Sequence, residues 1–198
     1  MKYVNQLEHP HMLYVTRTEP DCKGHERGKT TTIRSSGCGL CSAIMVADRL
    51  LPHYDFDLYN AIDLSYSVNA NHRAGTDGKL FYPAFAEKMG LKLEFGHTTD
   101  DLIRCLETGG AAVAHVGGDR EDHIGLFTHG GHYVAVINRE ADGRLAILDP
   151  SYKEGKFEEP GREGKVEMRN GVVALCEPAD LDFDAQVKDI PYYLFWRA

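Results

Sequence analysis

Residues 38–51 read CGLCSAIMVADRLL, a run with small and apolar residues on most faces that is followed by Pro52. Such a run predicts a buried helix, and proline is a residue at which helices stop. Ser35 and Ser36 precede the run, and serine is a favoured N-cap residue, so we predict that one of them lies near the N-cap of the helix. The remaining elements are then expected to pack around this segment.

Helical and extended patterns separate along the chain. Helices are predicted at Asp57–Val68 and at Leu80–Met89, the second closed by Gly90, and Thr99 is predicted to cap a further helix that ends before Gly109. Strands are predicted at Met12–Thr16, Leu91–Phe95, Ala111–Val116, His132–Arg139, Leu145–Leu148, Val172–Cys176 and Tyr192–Trp196. Helices thus dominate the first half and strands the second, which predicts an α+β fold with a helical part packed on an antiparallel sheet.

Length and composition limit the classes of function. The chain has 198 residues, 42% of them hydrophobic, with no internal repeat and no linker, so we predict a single domain over 1–198. Its net charge of −8 opposes binding to nucleic acid or to an anionic membrane. The N-terminus has no apolar stretch long enough for a signal peptide, and no later segment could span a bilayer. We therefore expect a cytoplasmic protein, whose oligomeric state the sequence leaves open.

Cys38 stands out among five cysteines because it lies between two glycines. It is expected in the first turn of the predicted helix, where the helix dipole favours a thiolate, the nucleophilic form of cysteine. Flanking glycines leave room for a substrate, and the Cys38 N–H could face a developing oxyanion. Cys105 and Cys176 lie among apolar residues and are predicted to be inert core side chains.

Cys41 leaves two other interpretations of this segment open. CGLC at 38–41 resembles the dithiol motif of thioredoxin-like proteins, although no apolar strand precedes it. Cys22, His25, Cys38 and Cys41 also have a spacing that suits a zinc site, which would make the protein a metal-stabilised binding module. If neither holds, Cys41 is a core residue of the helix.

His132 is the candidate base. It begins the segment HYVAVI, in which both alternating faces are apolar, so the strand should be central and its first residue should project at the sheet edge. An imidazole at that position can titrate near neutral pH and bind a thiol. His129, on the preceding loop, is a competing base and a possible substrate contact, whereas His115 is expected in the core or supporting the site.

Asp149 ends the next predicted strand, within LAILDP at 145–150, and can orient His132 as the third member of a triad. A symmetric hairpin closed at Asp142 and Gly143 would instead place His132 opposite Lys153. A wider turn or a β-bulge is therefore required.

Two long loops, 117–131 and 150–167, separate these strands and are candidates for lining a cleft.

Three motifs together resemble the C39-like peptidase family of the papain-like clan: GCGLCSAIMV at 37–46, GGHYVAVI at 130–137 and AILDP at 146–150. The resemblance implies a papain-like fold with Cys38 as nucleophile, His132 as base and Asp149 as third member. It further implies a peptide or other amide as substrate, an acyl-enzyme intermediate, and no metal or organic cofactor.

The chain departs from the family pattern at two places. Leu40 and Cys41 replace the usual Pro-Thr after the nucleophile. Papain-like enzymes also supply an oxyanion-binding glutamine shortly before the cysteine, where this chain has Thr32; Gln6 is the only glutamine upstream, too remote in sequence to assign. A non-catalytic pseudo-peptidase that binds peptides is therefore an alternative.

Overall fold

The computed structural model describes residues 1–15, 30–71 and 75–198. The helices are α1 (Ile33–Ser36), α2 (Cys38–Leu50), α3 (Leu58–Ser67), α4 (Gly78–Met89), α5 (Thr99–Glu107) and α6 (Pro178–Ala185). The strands are β1 (Leu13–Val15), β2 (Thr30–Thr32), β3 (Leu91–Gly96), β4 (Ala111–Val116), β5 (His132–Arg139), β6 (Leu145–Leu148), β7 (Val166–Arg169), β8 (Val173–Cys176) and β9 (Tyr192–Arg197). Short 3-10 turns lie at Gln6–Glu8 and Lys156–Glu158.

Seven strands form one antiparallel sheet in the order β3-β9-β4-β5-β6-β8-β7, and β1 pairs with β2 in a separate small ladder. Strand β5 is the middle strand of the seven, as its two apolar faces predict. Successive side chains of β5 enter two different clusters of buried residues, Tyr133 and Ala135 on one face and Val134 and Val136 on the other. The α+β class is confirmed.

Helices cover both faces of the sheet. Buried residues of α2, α3 and α4 form the core on the face that carries Tyr133, and those of α5 and α6 form the core on the opposite face. The helical layer is therefore not confined to one side of the sheet.

Along the chain, most α-helical residues precede β4, as the separation of patterns predicts, but α6 lies between β8 and β9.

Helix α2 is central to the larger core, and residues 39–47 are all buried. It ends at Leu50, one residue before the predicted end. Two side chains fasten it to the middle strand: Ser42 Oγ donates to the Tyr133 carbonyl at 3.1 Å and Arg49 Nε donates to the Ile137 carbonyl at 3.0 Å. The start of α2 is thereby fixed relative to the start of β5.

Ser36 lies directly before the N-cap of α2, as the sequence predicts, but neither serine is the cap itself. Ser35 and Ser36 belong to the one-turn helix α1, and Gly37 is the cap between α1 and α2. A Cβ at Gly37 would lie 2.7 Å from the Ile33 carbonyl oxygen. Glycine is needed there because the chain passes directly from one helix into the next.

Other boundaries differ by a few residues. The first strand is Leu13–Val15 and not Met12–Thr16, of which Thr16 lies outside the described residues. Thr98 and not Thr99 caps α5, with its side chain accepting from the Asp101 N–H. Leu58–Ser67 is helical within the predicted Asp57–Val68, and α4 begins at Gly78, two residues early.

Four elements are absent from the sequence prediction: α1, β2, β7 and α6. Strand β7 is at the sheet edge, where half-buried and exposed residues alternate in the charged sequence VEMR, so its hydrophobic pattern is weak. It also shortens the predicted loop 150–167, because Val166 and Glu167 belong to the strand.

Within the described residues, no helix is long and apolar enough to cross a membrane.

Candidate active site

Cys38 is the first residue of α2 and lines a cleft, with its side chain partly exposed. The first N–H groups of an α-helix lack acceptors within the helix, so this position places the sulfur beside backbone donors. The flanking glycines do not leave the open space that the sequence suggests. Gly37 is packed against Ile33, and a Cβ at Gly39 would lie 3.1 Å from the Thr76 Cβ, so both glycines permit close packing around the cysteine.

His132 is the first residue of β5 and is almost fully buried. Its Nε2 lies 2.8 Å from Asp149 Oδ1 and 3.1 Å from Ser151 Oγ. The ring lines the same cleft as Cys38, and each of the two groups shifts the pKa of the other. Since Nε2 is engaged on the Asp149 side, Nδ1 is the nitrogen left to face the sulfur.

Asp149 reaches His132 through a change of register between β5 and β6. Arg139 pairs with Leu145 across a wider turn than a two-residue hairpin, and a bulge between Val136 and Asn138 shifts the ladder so that Ala135 pairs with Leu148. Both structural features that the sequence allows, the wider turn and the β-bulge, are therefore present. Together they place Asp149 beside the start of β5.

The charges of Cys38 and His132 stabilise each other. Burial opposes ionisation of the Cys38 thiol, but the hydrogen bond and the positive charge of His132 outweigh it, and the pKa of Cys38 is lowered. Burial likewise opposes the imidazolium, but hydrogen bonds to Asp149 and Cys38 raise the pKa of His132 to about 9. Both shifts favour the thiolate–imidazolium form of the pair.

Cys41 behaves in the opposite way, although it lies three residues from Cys38 on the same helix. It has no exposed surface, and burial raises the pKa of its thiol. It lies in the core with Ile44 and Met45, as one of the three sequence interpretations predicts. Cys105 and Cys176 are also buried, and burial raises the pKa of each to about 12, so the prediction that they are core residues is confirmed.

Lys156 is a site residue that the sequence does not indicate. It is buried, with 5% of its side chain exposed, and its Nζ forms an ion pair with Asp149 Oδ2. The same Nζ donates to Ser151 Oγ at 2.9 Å and to the Ser151 carbonyl at 3.4 Å. In the sequence, Lys156 is one of several charged residues of a loop, and nothing distinguishes it from Lys153.

The Asp149 carboxylate is surrounded by donors. Oδ1 accepts from the Ser151 N–H at 2.8 Å as well as from His132, and Oδ2 accepts from Lys156. Burial opposes the carboxylate charge, but Lys156 and His132 outweigh it, so the pKa of Asp149 is held well below its usual range. Asp149 is therefore a permanently charged, fixed partner for the imidazole.

Gln6, although remote in sequence, lies next to this cluster. It is buried, its N–H donates to the Pro150 carbonyl at 2.7 Å, and its Nε2 donates to the Arg34 carbonyl at 2.8 Å. Its Oε1 has no hydrogen-bond partner among the described residues. Gln6 therefore bridges the turn that leads into Cys38 and the segment that follows Asp149. Thr32, at the position where the family resemblance expects glutamine, instead caps α1.

The cleft at Cys38 has a volume of about 620 Å³. It runs between the start of α4, the start of β5 and the segment 187–190. His115 lines it and stacks on Tyr133, with ring centroids 4.3 Å apart. Burial, reinforced by the charge of Lys188, lowers the pKa of His115 to about 3, so this imidazole is neutral.

His129 lies away from the cysteine. Its exposed ring joins the two predicted cleft loops, with Nδ1 2.9 Å from Asp119 Oδ2 and Nε2 3.3 Å from Glu159 Oε2. Buried Arg162 joins the same loops through a 2.8 Å bond from its Nε to the Gly125 carbonyl. Of the two loops, only Gly131 reaches the lining of the cleft at Cys38.

The structure does not test the predicted zinc set, because Cys22 and His25 lie outside the described residues. Among the residues that are described, no group of three or more His, Cys, Asp or Glu side chains is arranged to hold a metal ion.

No protein-family model matches this chain, and a search of curated proteins returns no similar sequence.

Proposed function

We propose that this protein is a cysteine hydrolase of papain-like fold that cleaves a peptide or another amide bond through an acyl-enzyme on Cys38. The observation that carries the proposal is that Cys38, at the start of α2, and His132 line one cleft, while His132 Nε2 lies 2.8 Å from Asp149 Oδ1. A sulfur, a base and an orienting carboxylate in this order are what nucleophilic acyl transfer requires. The resemblance to C39-like peptidases in three motifs agrees with it.

The reaction begins with attack of the Cys38 thiolate on the substrate carbonyl carbon. A C–S bond forms, and the carbonyl π electrons move to oxygen. When the tetrahedral intermediate collapses, the C–N bond breaks and His132 gives its proton to the leaving amine. Water then attacks the thioester while His132 takes one of its protons, and the C–S bond breaks to release the acid and restore the thiolate.

Asp149 and Lys156 act on this reaction through His132. The carboxylate holds Nε2, which directs the other ring nitrogen to the sulfur, and it stabilises the imidazolium. Lys156 in turn fixes the Asp149 carboxylate from its far side. Three contacts in series thus orient the base: the sulfur with the His132 ring, the ring with Asp149, and Asp149 with Lys156.

The direct test is to react the protein with p-nitrophenyl acetate and to locate the acetyl group by mass spectrometry. We expect a burst of nitrophenolate and acetylation at Cys38, both also in a Cys41→Ala variant and neither in a Cys38→Ala variant. Iodoacetamide at pH 6 should alkylate Cys38 and leave the buried Cys41 unmodified. Alkylation of Cys38 without any acyl-enzyme would point instead to a pseudo-peptidase.

Gln6 is proposed as the side-chain donor to the oxyanion, together with the Cys38 N–H. One Nε2 hydrogen is used by the Arg34 carbonyl, and an amide nitrogen carries a second. The Gln6→Ala variant is expected to form the acyl-enzyme about 10²-fold to 10³-fold more slowly, the usual loss for one oxyanion donor. The rate of the nitrophenolate burst measures this effect.

Alkylation provides an internal control for Gln6, because displacement of iodide by the thiolate passes through no oxyanion. Gln6→Ala should therefore keep its rate of reaction with iodoacetamide while it loses acylation. Gln186→Ala, which removes an exposed glutamine bonded to the His97 carbonyl, is the matched control and should keep both rates. Equal losses in both reactions would show that Gln6 only supports the fold around Cys38.

A further inference from the structure

Most charged groups of the cleft at Cys38 are already engaged. Lys79 Nζ lies 3.2 Å from Asp189 Oδ2, which joins α4 to the segment that precedes β9. Asp77 caps α4 by accepting from the Lys79 N–H at 2.9 Å. The remaining charged residue along this wall is Lys188.

Lys188 has no carboxylate within 4 Å among the described residues, although the chain carries an excess of acidic groups. Its Nζ lies 3.6 Å from the position that a Cβ would occupy at Gly131, directly before His132. The half-buried side chain thus extends along the cleft wall toward the catalytic pair. A cation in this position attracts any anionic group that enters the cleft beside His132.

His115 lines the same cleft as Lys188. It is neutral, so it can offer a ring N–H as a donor without adding charge, and its stacking on Tyr133 holds the ring in place. A neutral donor beside an unpaired ammonium suits a carboxylate, which accepts hydrogen bonds through both oxygens.

We propose that Lys188 selects substrates that carry a carboxylate close to the scissile bond, on the side of the cleft formed by Gly131 and His115. This inference rests on the proposed function, since it concerns the substrate of the same cleft. Gly131 has no side chain to separate the ammonium from an entering group. The carboxylate belongs either to the acyl part or to the leaving group of the substrate, and two esters distinguish these cases.

The test compares two alkylating reagents that differ in charge, iodoacetate and neutral iodoacetamide, at Cys38. The ratio of their rates measures the preference for a carboxylate, and the iodoacetamide rate of each variant corrects for any change in the thiolate itself. Lys188→Met should lower the ratio about 5-fold, because one positive charge is lost near the sulfur, and Lys188→Glu should lower it further. Lys92→Met, which removes an exposed lysine of β3 paired with Glu94, should leave the ratio unchanged.

Esters then show on which side of the scissile bond the carboxylate is bound. The mono-p-nitrophenyl ester of succinate carries the carboxylate on the acyl part and is compared with the neutral butyrate ester. The ester 3-carboxy-4-nitrophenyl acetate carries the carboxylate on the leaving group and is compared with neutral p-nitrophenyl acetate. We expect one of the two charged esters to lose its advantage in Lys188→Met. The inference is overturned if the iodoacetate ratio and both esters are unaffected by Lys188→Met.

The two proposals fail in different ways. If neither reagent modifies Cys38, the proposed hydrolase loses its nucleophile. If both reagents modify Cys38 but Lys188→Met changes neither their ratio nor the rates of the two charged esters, the hydrolase stands and the carboxylate site is ruled out.

Discussion

Replacing His132 with alanine is expected to lower the rate of acyl-enzyme formation on the order of 10⁶-fold, the loss seen when a triad base is removed. Cys38 then loses the hydrogen bond and the charge that lower its pKa, while the burial that opposes its ionisation remains. A thiol of ordinary pKa, near 8.5, is under about 1% ionised at pH 6. Alkylation of Cys38 by iodoacetamide at pH 6 should therefore also slow by about 10-fold to 100-fold.

The proposed role of His132 also predicts how the rate of amide hydrolysis by the wild-type protein depends on pH. The imidazolium must donate a proton to the leaving amine, and the pKa of His132 is raised to about 9. Amide hydrolysis should rise on the acidic side as Cys38 ionises and fall as the pH increases through about 9. In His132→Ala the alkaline decline should disappear, because no imidazolium is left to titrate.

Other histidines provide the comparison. His97→Ala changes an exposed residue that lies outside the cleft and should leave acylation unaffected. Retained acylation in His132→Ala, with a loss in His129→Ala, would assign the base to the loop histidine and contradict the geometry of the cleft.

The sequence predicts the part of the site that local patterns encode. Cys38 is recognisable because a buried helix begins at it, and His132 because it opens a strand that is apolar on both faces. The central place of β5 in the sheet confirms the second pattern. The pairing of β5 with β6 is constrained to a wider turn or a bulge by residue counting alone, and the structure has both.

The remaining parts depend on contacts between distant segments, which local patterns do not encode. Gln6 lies between the segments that carry Cys38 and Asp149 because its backbone and side chain bind the Pro150 and Arg34 carbonyls. Lys156 is buried because the chain after Asp149 folds back on itself. A charged residue of a polar loop is expected to be solvated, so its burial is evident only in three dimensions.

The same burial predicts that replacing Lys156 lowers the stability of the protein. Lys156→Met keeps the length of the side chain but leaves Asp149 Oδ2 without its cation in a buried site. Removing one partner of a buried ion pair destabilises a protein by about 3–5 kcal/mol, and we expect the lower figure because His132 still binds Oδ1. Chemical denaturation at pH 7 measures the change, and Lys153→Met, at an exposed pair with Glu159 in the same loop, should change stability by less than about 1 kcal/mol.

Two pH measurements separate a positioning role for Lys156 from a purely structural one. A carboxyl whose folded pKa is depressed contributes stability that is present above its unfolded pKa and is lost as the pH falls through its folded pKa. Without Lys156 the pKa of Asp149 is depressed less, so acid unfolding should begin at a higher pH.

In Lys156→Met, no ammonium offsets the Asp149 charge, so the carboxylate stabilises the His132 imidazolium more strongly. The decline of amide hydrolysis should therefore move above the wild-type value of about 9. If Lys156→Met lowers stability but leaves the alkaline limb in place, Lys156 does not act through the imidazole. A variant as stable as Lys153→Met would show that the buried ion pair with Asp149 contributes nothing to the fold.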